Sequence, residues 1–351
     1  MEIKVGGRWL SELAPWELGE WSTDLRGPDD LAWRMLPERP HPLLVAGALV
    51  EMYDAAVLRW SGRLDQPDLT TGDLRATGLY RTAYEVPALD GGGAPTSVAN
   101  TAIDAAIARG ALPGWKRSNF VSTTAMSADL QGEAPSIGDL LDVLADHEGK
   151  WWHLDESGEV DLFSRPAKTK WLVSEDAGAL GFVEGDYAST IQGRRRSGAS
   201  SYAVETVTDT SAAARFGPRE GYEDLTHMGE MTSGRVSAVL IGQSTKGRNR
   251  FGFANSVTVT GEQLMTSGGV PAHLPCVKGG EVARFLVQRD QTRLLAGAGY
   301  VEEMLGKVVQ HPQTRTAELQ PADLAVGADF VDTLAWFAQR DNRKRRRKRR
   351  R

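Results

Sequence analysis

The chain has 351 residues, 41% of them hydrophobic, which predicts roughly two or three domains with real cores and excludes a chain disordered overall. No apolar run nears the roughly 18 residues of a membrane span. The start, MEIKVGGRWLSE, lacks a signal-peptide core, and a single cysteine, Cys276, excludes both an intrachain disulfide and a cysteine-based zinc site within one chain. Net charge is −5, yet the last nine residues are all Lys or Arg, so the remaining body carries −14.

From the N-terminus, Ile3 to Val5, then Gly6-Gly7, then Trp9-Leu10 reads as a hairpin. Leu31, Trp33 and Met35 alternate with polar or small residues, as in a half-buried strand. Residues 43–68 predict a strand, a turn near Tyr53-Asp54, a second strand and an exit at Pro67. Tyr80, Thr82 and Tyr84 alternate again, predicting another strand. The cluster ALDGGGAP, residues 88–95, is linker-like and marks a boundary. A helix over residues 98–109 follows, with Val98, Ala102, Ile103, Ala106 and Ile107 on one side and Gly110 where a C-terminal cap belongs.

The stretch SIGDLLDVLADHEGKWWHLDESGEVDLFSRP, from Ser136, is the most informative in the chain. Ser136 and Asp139 form a capping-box-type start, with Asp in place of the usual Glu. Ile137, Leu140, Leu141 and Leu144 recur at helical spacing, and the helix should stop near Gly149. Trp151 to Leu154 and Val160 to Phe163 then read as two strands around a polar turn. This unit holds no nucleophile, no metal-ligand spacing and no phosphate loop, which argues against an enzyme.

Beyond it, residues 171–173, 188–191, 202–207, 236–241 and 256–260 predict strands, and residues 271–275 break the chain at two prolines. Residues 282–287 predict another strand. Residues 301–309 read equally as strand or helix. Phe330, Leu334 and Phe337 have helical spacing in a last short helix. With 38 glycines and many short apolar runs, the fold class expected is β-rich α+β. The segmentation expected is 1–88, 89–167, 168–270, 271–338 and a basic disordered tail, 339–351. Strand-rich parts flank the second region, so it reads either as separate or as inserted into a barrel completed by later strands.

Few residues suggest chemistry. The tail, Arg343, Lys344, Arg345, Arg346, Arg347, Lys348, Arg349, Arg350 and Arg351, is a candidate polyanion site acting by phosphate neutralisation. The plainer reading is a tail with no fixed partner. Arg194, Arg195 and Arg196 form a second basic cluster, either at an interface or on a solvated hairpin turn. Adjacent Trp151 and Trp152 must face opposite ways on a strand, so one is expected in a core and the other at a domain or subunit contact. His147, His153, Glu148 and Asp146 lack the HExxH spacing of a metal site. The run GQSTKGR, residues 242–248, lacks the Lys-Ser/Thr pair of a phosphate loop and reads as a turn. No GxSxG is present. No metal or cofactor is expected.

Taken in order, HPLLVAGALVEMYD and LRWSGRL from His41, IDAAIARGALPGW from Ile103, the Ser136 unit, HLPCVKGGEVARFLV, and HPQTRTAELQPADLAVGADFVDTLA resemble minor tail proteins of siphophages infecting actinobacteria. The resemblance covers residues 1–338 and points to the tail hub, or baseplate hub. It implies a homotrimer with two tail-tube-like β-barrel domains per subunit, at residues 1–88 and 168–270, and two smaller α/β domains. It implies an adaptor between a six-fold tube and a three-fold tip that closes the DNA channel. The implied partners are the distal tail or tail tube protein, the tape-measure protein, other tail-tip proteins and phage DNA, in a virion assembled in the host cytoplasm. No catalytic residues carry over, and no fibre or hydrolase extension is expected. The polybasic tail departs from the pattern. It keeps a second reading open, a nucleic-acid-binding protein anchored by that tail. A tip enzyme acting on cell wall is a third, with no carboxylates to assign.

Overall fold

The computed structural model describes residues 1–35, 42–67, 71–118, 135–148, 150–177, 188–198, 201–210, 213, 218–226, 230–248, 256–286 and 300–322. Strands dominate, as expected. The first region builds β1 (Glu2–Val5), β2 (Arg8–Trp9), β3 (Trp16–Asp24), β4 (Gly27–Met35), β5 (Leu49–Asp54), β6 (Val57–Leu64) and β7 (Asp73–Gly78). They pair antiparallel in the order β3-β4-β7-β6-β5-β1-β2. Alternate residues turn inward, burying Ile3, Val50, Met52, Trp60, Trp21, Leu31, Trp33 and Leu74 in one core. The predicted turn falls at Ala55-Ala56, whose φ values of 46° and 67° match the right-handed twist of a tight hairpin.

Residues 79–84 are the first correction. They form a 3-10 turn, Leu79–Tyr84, not a strand. The buried residues are Leu79, Tyr80 and Ala83, a helical spacing that overrode the alternation of Tyr80, Thr82 and Tyr84.

The helical region follows the sequence closely. Helix α1 (Ala99–Ala108) buries Ala99, Ala102, Ile103 and Ala106, and Gly110 takes φ 72° beyond its end. Helix α2 (Ile137–Glu148) starts on the expected cap: the Asp139 backbone N–H donates to Ser136 Oγ at 3.0 Å, and the Ser136 N–H donates to Asp139 Oδ2 at 3.3 Å. β8 (Trp151–Leu154) and β9 (Val160–Phe163) form the hairpin, with Trp152 opposite Leu162. Asp155 Oδ1 accepts from the N–H groups of Ser157 and Glu159, at 2.8 and 2.9 Å, which shapes the turn.

The rest comprises β10 (Trp171–Val173), β11 (Thr190–Arg196), β12 (Tyr202–Thr208), β13 (Glu220–Asp224), α3 (Ser233–Arg248), β14 (Val257–Thr260), β15 (Leu264–Thr266), β16 (Val282–Leu286), β17 (Tyr300–His311) and β18 (Thr316–Pro321). Helix α3 is the second correction. Residues 236–241 are not a strand and 242–248 are not a turn; both lie in this helix. Val236, Val239 and Leu240 are buried at i, i+3 and i+4, and packing them on β11 decided against the β-branched preference of the two valines. Residues 301–309 resolve as strand, in β17.

Strand β17 joins the two ends of the chain. Lys307 to Gln310 pair with Asp24 to Trp21 of β3, so the first sheet continues through β17 into β16, β10 and β15, with β18 and β14 branching from β17. Among the described residues this sheet has open ends at β2 and β15, and no closed barrel forms. A separate sheet, in the order β12-β11-β13, carries α3 against it, and α3 also packs on α2. The predicted helix at residues 330–337 and the tail lie outside the described residues.

Candidate functional site

Two charged locks hold the frame. Asp29, on β4, is only 2% exposed, yet it keeps its charge. Its carboxylate accepts from Tyr80 at 2.8 Å, from Arg81 Nε at 3.1 Å and from Lys307 Nζ at 2.6 Å. Burial alone would raise its pKa; the hydrogen bonds from Lys307 and Arg81 outweigh this and bring it to about 2. Asp24, at the end of β3, is raised to about 6, first by burial and then by the negative charge of Asp29. Asp30 is also raised, by burial and by Asp29.

Tyr80 stands between the two carboxyls. Its hydroxyl lies 2.7 Å from Asp24 Oδ2 and 2.8 Å from Asp29 Oδ1, and it has one hydrogen to give. Below about pH 6 a protonated Asp24 donates to the Tyr80 oxygen while Tyr80 donates to Asp29; above it the single phenol hydrogen is shared between two carboxylates. Burial, then Asp24 and Asp29, push the Tyr80 pKa upward, so the phenol stays neutral. These residues come from β3, β4, the 3-10 turn and β17. The cluster therefore clamps the seam where the two ends of the chain meet.

Asp142, on α2, is the second lock. It accepts from Arg26 at 3.1 Å, from Tyr84 at 2.9 Å and from the Trp152 indole at 2.7 Å. That fixes the helix-hairpin unit on the β3–β4 turn, where the Leu154 N–H also donates to Arg26 O at 2.9 Å. Gly27 takes φ 131°, and a Cβ there would stand 2.1 Å from Leu154 O, so only glycine permits this approach.

The tryptophan pair splits across the hairpin. Trp152 is buried among Tyr80, Tyr84 and Trp115. Trp151 faces the other way and is half-buried, stacked with Phe163 beside Leu25, Val282 and Met304 from the first and last regions.

The arginine triplet lies on β11, and the solvated-turn reading of it is the third correction. Strand pairing aims alternate residues to opposite faces. Arg195 turns toward α3, donating to Glu205 at 2.9 Å and to Met231 O at 2.8 Å. Arg194 turns outward, its guanidinium 4.5 Å from the ring centre of Tyr202 on β12. Arg196 is half-buried opposite Tyr202. Nearby on this outer face Tyr202, Val204 and Tyr222 are 53%, 56% and 59% exposed. An outward sheet face with two tyrosines, a valine and an arginine has the composition of a protein contact.

Residues 343–351 lie outside the described residues. Among the described residues, no group of three His, Cys, Asp or Glu is arranged to hold a metal ion, and no helix is long and apolar enough to cross a membrane. The Asp24–Asp29–Tyr80–Arg81–Lys307 lock escaped sequence reading. Its only local trace is the Asp29-Asp30 pair directly after Gly27-Pro28.

No family model matches the chain, and no curated protein matches it. Solved structures do resemble it. A tail protein from Neisseria meningitidis MC58 aligns over 91% of this chain and 94% of its own, at 14% identity and TM-score 0.55. The 43 kDa tail protein of prophage MuSo2 from Shewanella oneidensis covers 92% and 98%, at 13% identity and TM-score 0.53. Prophage tail protein gp18 from Listeria monocytogenes EGD-e covers 90% and 93%, at 14% identity and TM-score 0.55. The chain has the fold of these proteins, nearly end to end.

Proposed function

We propose that the chain is a structural subunit of a phage tail, acting as the trimeric hub of the tail tip. One observation carries this reading: the fold matches three phage tail proteins over at least nine-tenths of both chains. Agreement over whole chains supports a shared architecture, not a shared fragment. In this proposal two tail-tube-like modules, one around β1–β7 and one around β10 and β14–β18, lie edge to edge through the β3–β17 seam. Three such subunits place six modules around a pore, matching a six-fold tube above and a three-fold tip below. The work is geometric and not catalytic. The subunit docks on the distal tail or tube protein, receives the tape-measure protein and tip proteins, and closes the channel until DNA leaves.

The tail of nine cations supports a second role within the same assembly, contact with phage DNA or another polyanion. As an independent nucleic-acid-binding protein, the chain would be a monomer held to DNA by that tail alone.

Sedimentation velocity of the full chain, followed by negative-stain imaging, tests the proposal. A three-chain particle with rotational symmetry is the expected result. A monomer that binds DNA in a salt-sensitive way, and loses binding when residues 343–351 are deleted, overturns the hub reading in favour of the second.

A further inference from the structure

The small sheet β12-β11-β13 has two edges of different character. Edge strands of soluble proteins are usually guarded by lysine, proline, bulges or short length, because bare backbone groups recruit another strand. β12, YAVETVT, has none of these guards. Its seven residues carry no Lys, Pro or Gly, and its one charge, Glu205, is engaged by Arg195. Tyr202 and Val204 stand exposed on it. Among the described residues no strand lies beyond it. β13, EGYED, forms the opposite edge and is acidic, with Glu220, Glu223 and Asp224 in five residues.

Strand directions decide how copies fit. β11 pairs antiparallel with β12 and parallel with β13, so the two edges run in opposite senses. Laying the β13 edge of a second copy beside β12 therefore makes an antiparallel pair, with the outer faces aligned and Tyr222 of the second copy beside Tyr202 and Val204. Arg194 favours this arrangement. It lies one strand in from the edge, but its guanidinium leans over the Tyr202 ring, toward where an acidic neighbour would sit. The alternative, β12 against β12 across a two-fold axis, places no acidic edge beside Tyr202 and stops at a dimer.

We propose that β12 of one copy pairs with β13 of the next, head to tail, extending this sheet from subunit to subunit. The inference rests on the hub reading and assigns its subunit contact. Head-to-tail contacts of this kind close into rings when the rotation permits.

The test uses the full chain with Cys276→Ser. Chains carrying Thr206→Cys and chains carrying Tyr222→Cys, tagged to differ in size, are mixed and treated with a short bis-maleimide. Cross-links between the two kinds are expected, with none joining two Thr206→Cys chains. Val204→Lys, at an exposed position, should keep the circular dichroism spectrum and shift the trimer to monomer. Arg194→Glu should weaken association at least tenfold. Thr206→Cys pairs cross-linked to each other, or a trimer unaffected by Val204→Lys, overturn the edge pairing and leave the hub reading standing. A native chain that remains monomeric overturns both.

Discussion

Replacing Asp24 by Asn should stabilise the protein at neutral pH and leave it unchanged near pH 4. In the fold this carboxyl titrates at about 6, against 3.8 in the unfolded chain. A raised folded pKa means that its contribution is fully present below the unfolded value and is lost as pH rises through about 6. Each pH unit of displacement is worth about 1.4 kcal/mol, so the ionised carboxylate costs up to ~3 kcal/mol at pH 7.5. Asp24 keeps some contact with water, so about 1–3 kcal/mol is expected. Asparagine preserves the proton arrangement of the protonated acid. Its amide donates to the Tyr80 oxygen, its carbonyl accepts from the Arg26 N–H as Asp24 Oδ1 does at 2.6 Å, and Tyr80 remains free to donate to Asp29. Guanidinium denaturation followed by tryptophan fluorescence, at intervals from pH 4 to 8, measures the difference. The advantage of Asp24→Asn should grow between pH 4 and 7 and then level. A flat difference across that range, or a loss of stability at pH 7.5, would refute the shared-proton account of the lock.

Asp29 should behave in the opposite sense. Its depressed pKa supplies stability above about pH 4 that is lost as pH falls toward 2, so Asp29→Asn should cost about 3–5 kcal/mol at pH 7, by leaving Lys307 and Arg81 without their carboxylate, and far less near pH 2. Asp142→Ala should cost about 1–3 kcal/mol and loosen the helix-hairpin unit, seen as faster amide exchange in β8 and β9. Gly27→Ala combines a positive φ with a clash against Leu154 O; a loss above about 2 kcal/mol by thermal denaturation is expected. Deleting residues 343–351 should leave unfolding unchanged within about 0.5 kcal/mol and abolish salt-dependent retention on DNA-cellulose.

The parts of this protein that can be read from its sequence are those whose signals are local. The Ser136 cap, the stripe Ile137, Leu140, Leu141 and Leu144, and the Asp155 turn each act within a few residues, so the helix-hairpin unit is legible without its neighbours. The β5–β6 hairpin and the strand at 171–173 are legible for the same reason. Residues 79–84 and 236–241 are misread because period 2 and period 3.6 overlap in short apolar runs, and only the partner surface chooses between them. The Arg194–Arg196 triplet is visible as charge, but its division into one inward arginine, Arg195, and two on the outer face, Arg194 and Arg196, depends on the β11 register. Lys307 and Asp29 are 278 residues apart, and nothing near either announces the other. Chain order alone thus determined a β-rich body, a capped helix-hairpin and a basic tail. Folding decided that the first and last strands share one sheet, because a ladder of backbone hydrogen bonds carries no record of how far apart along the chain its partners began.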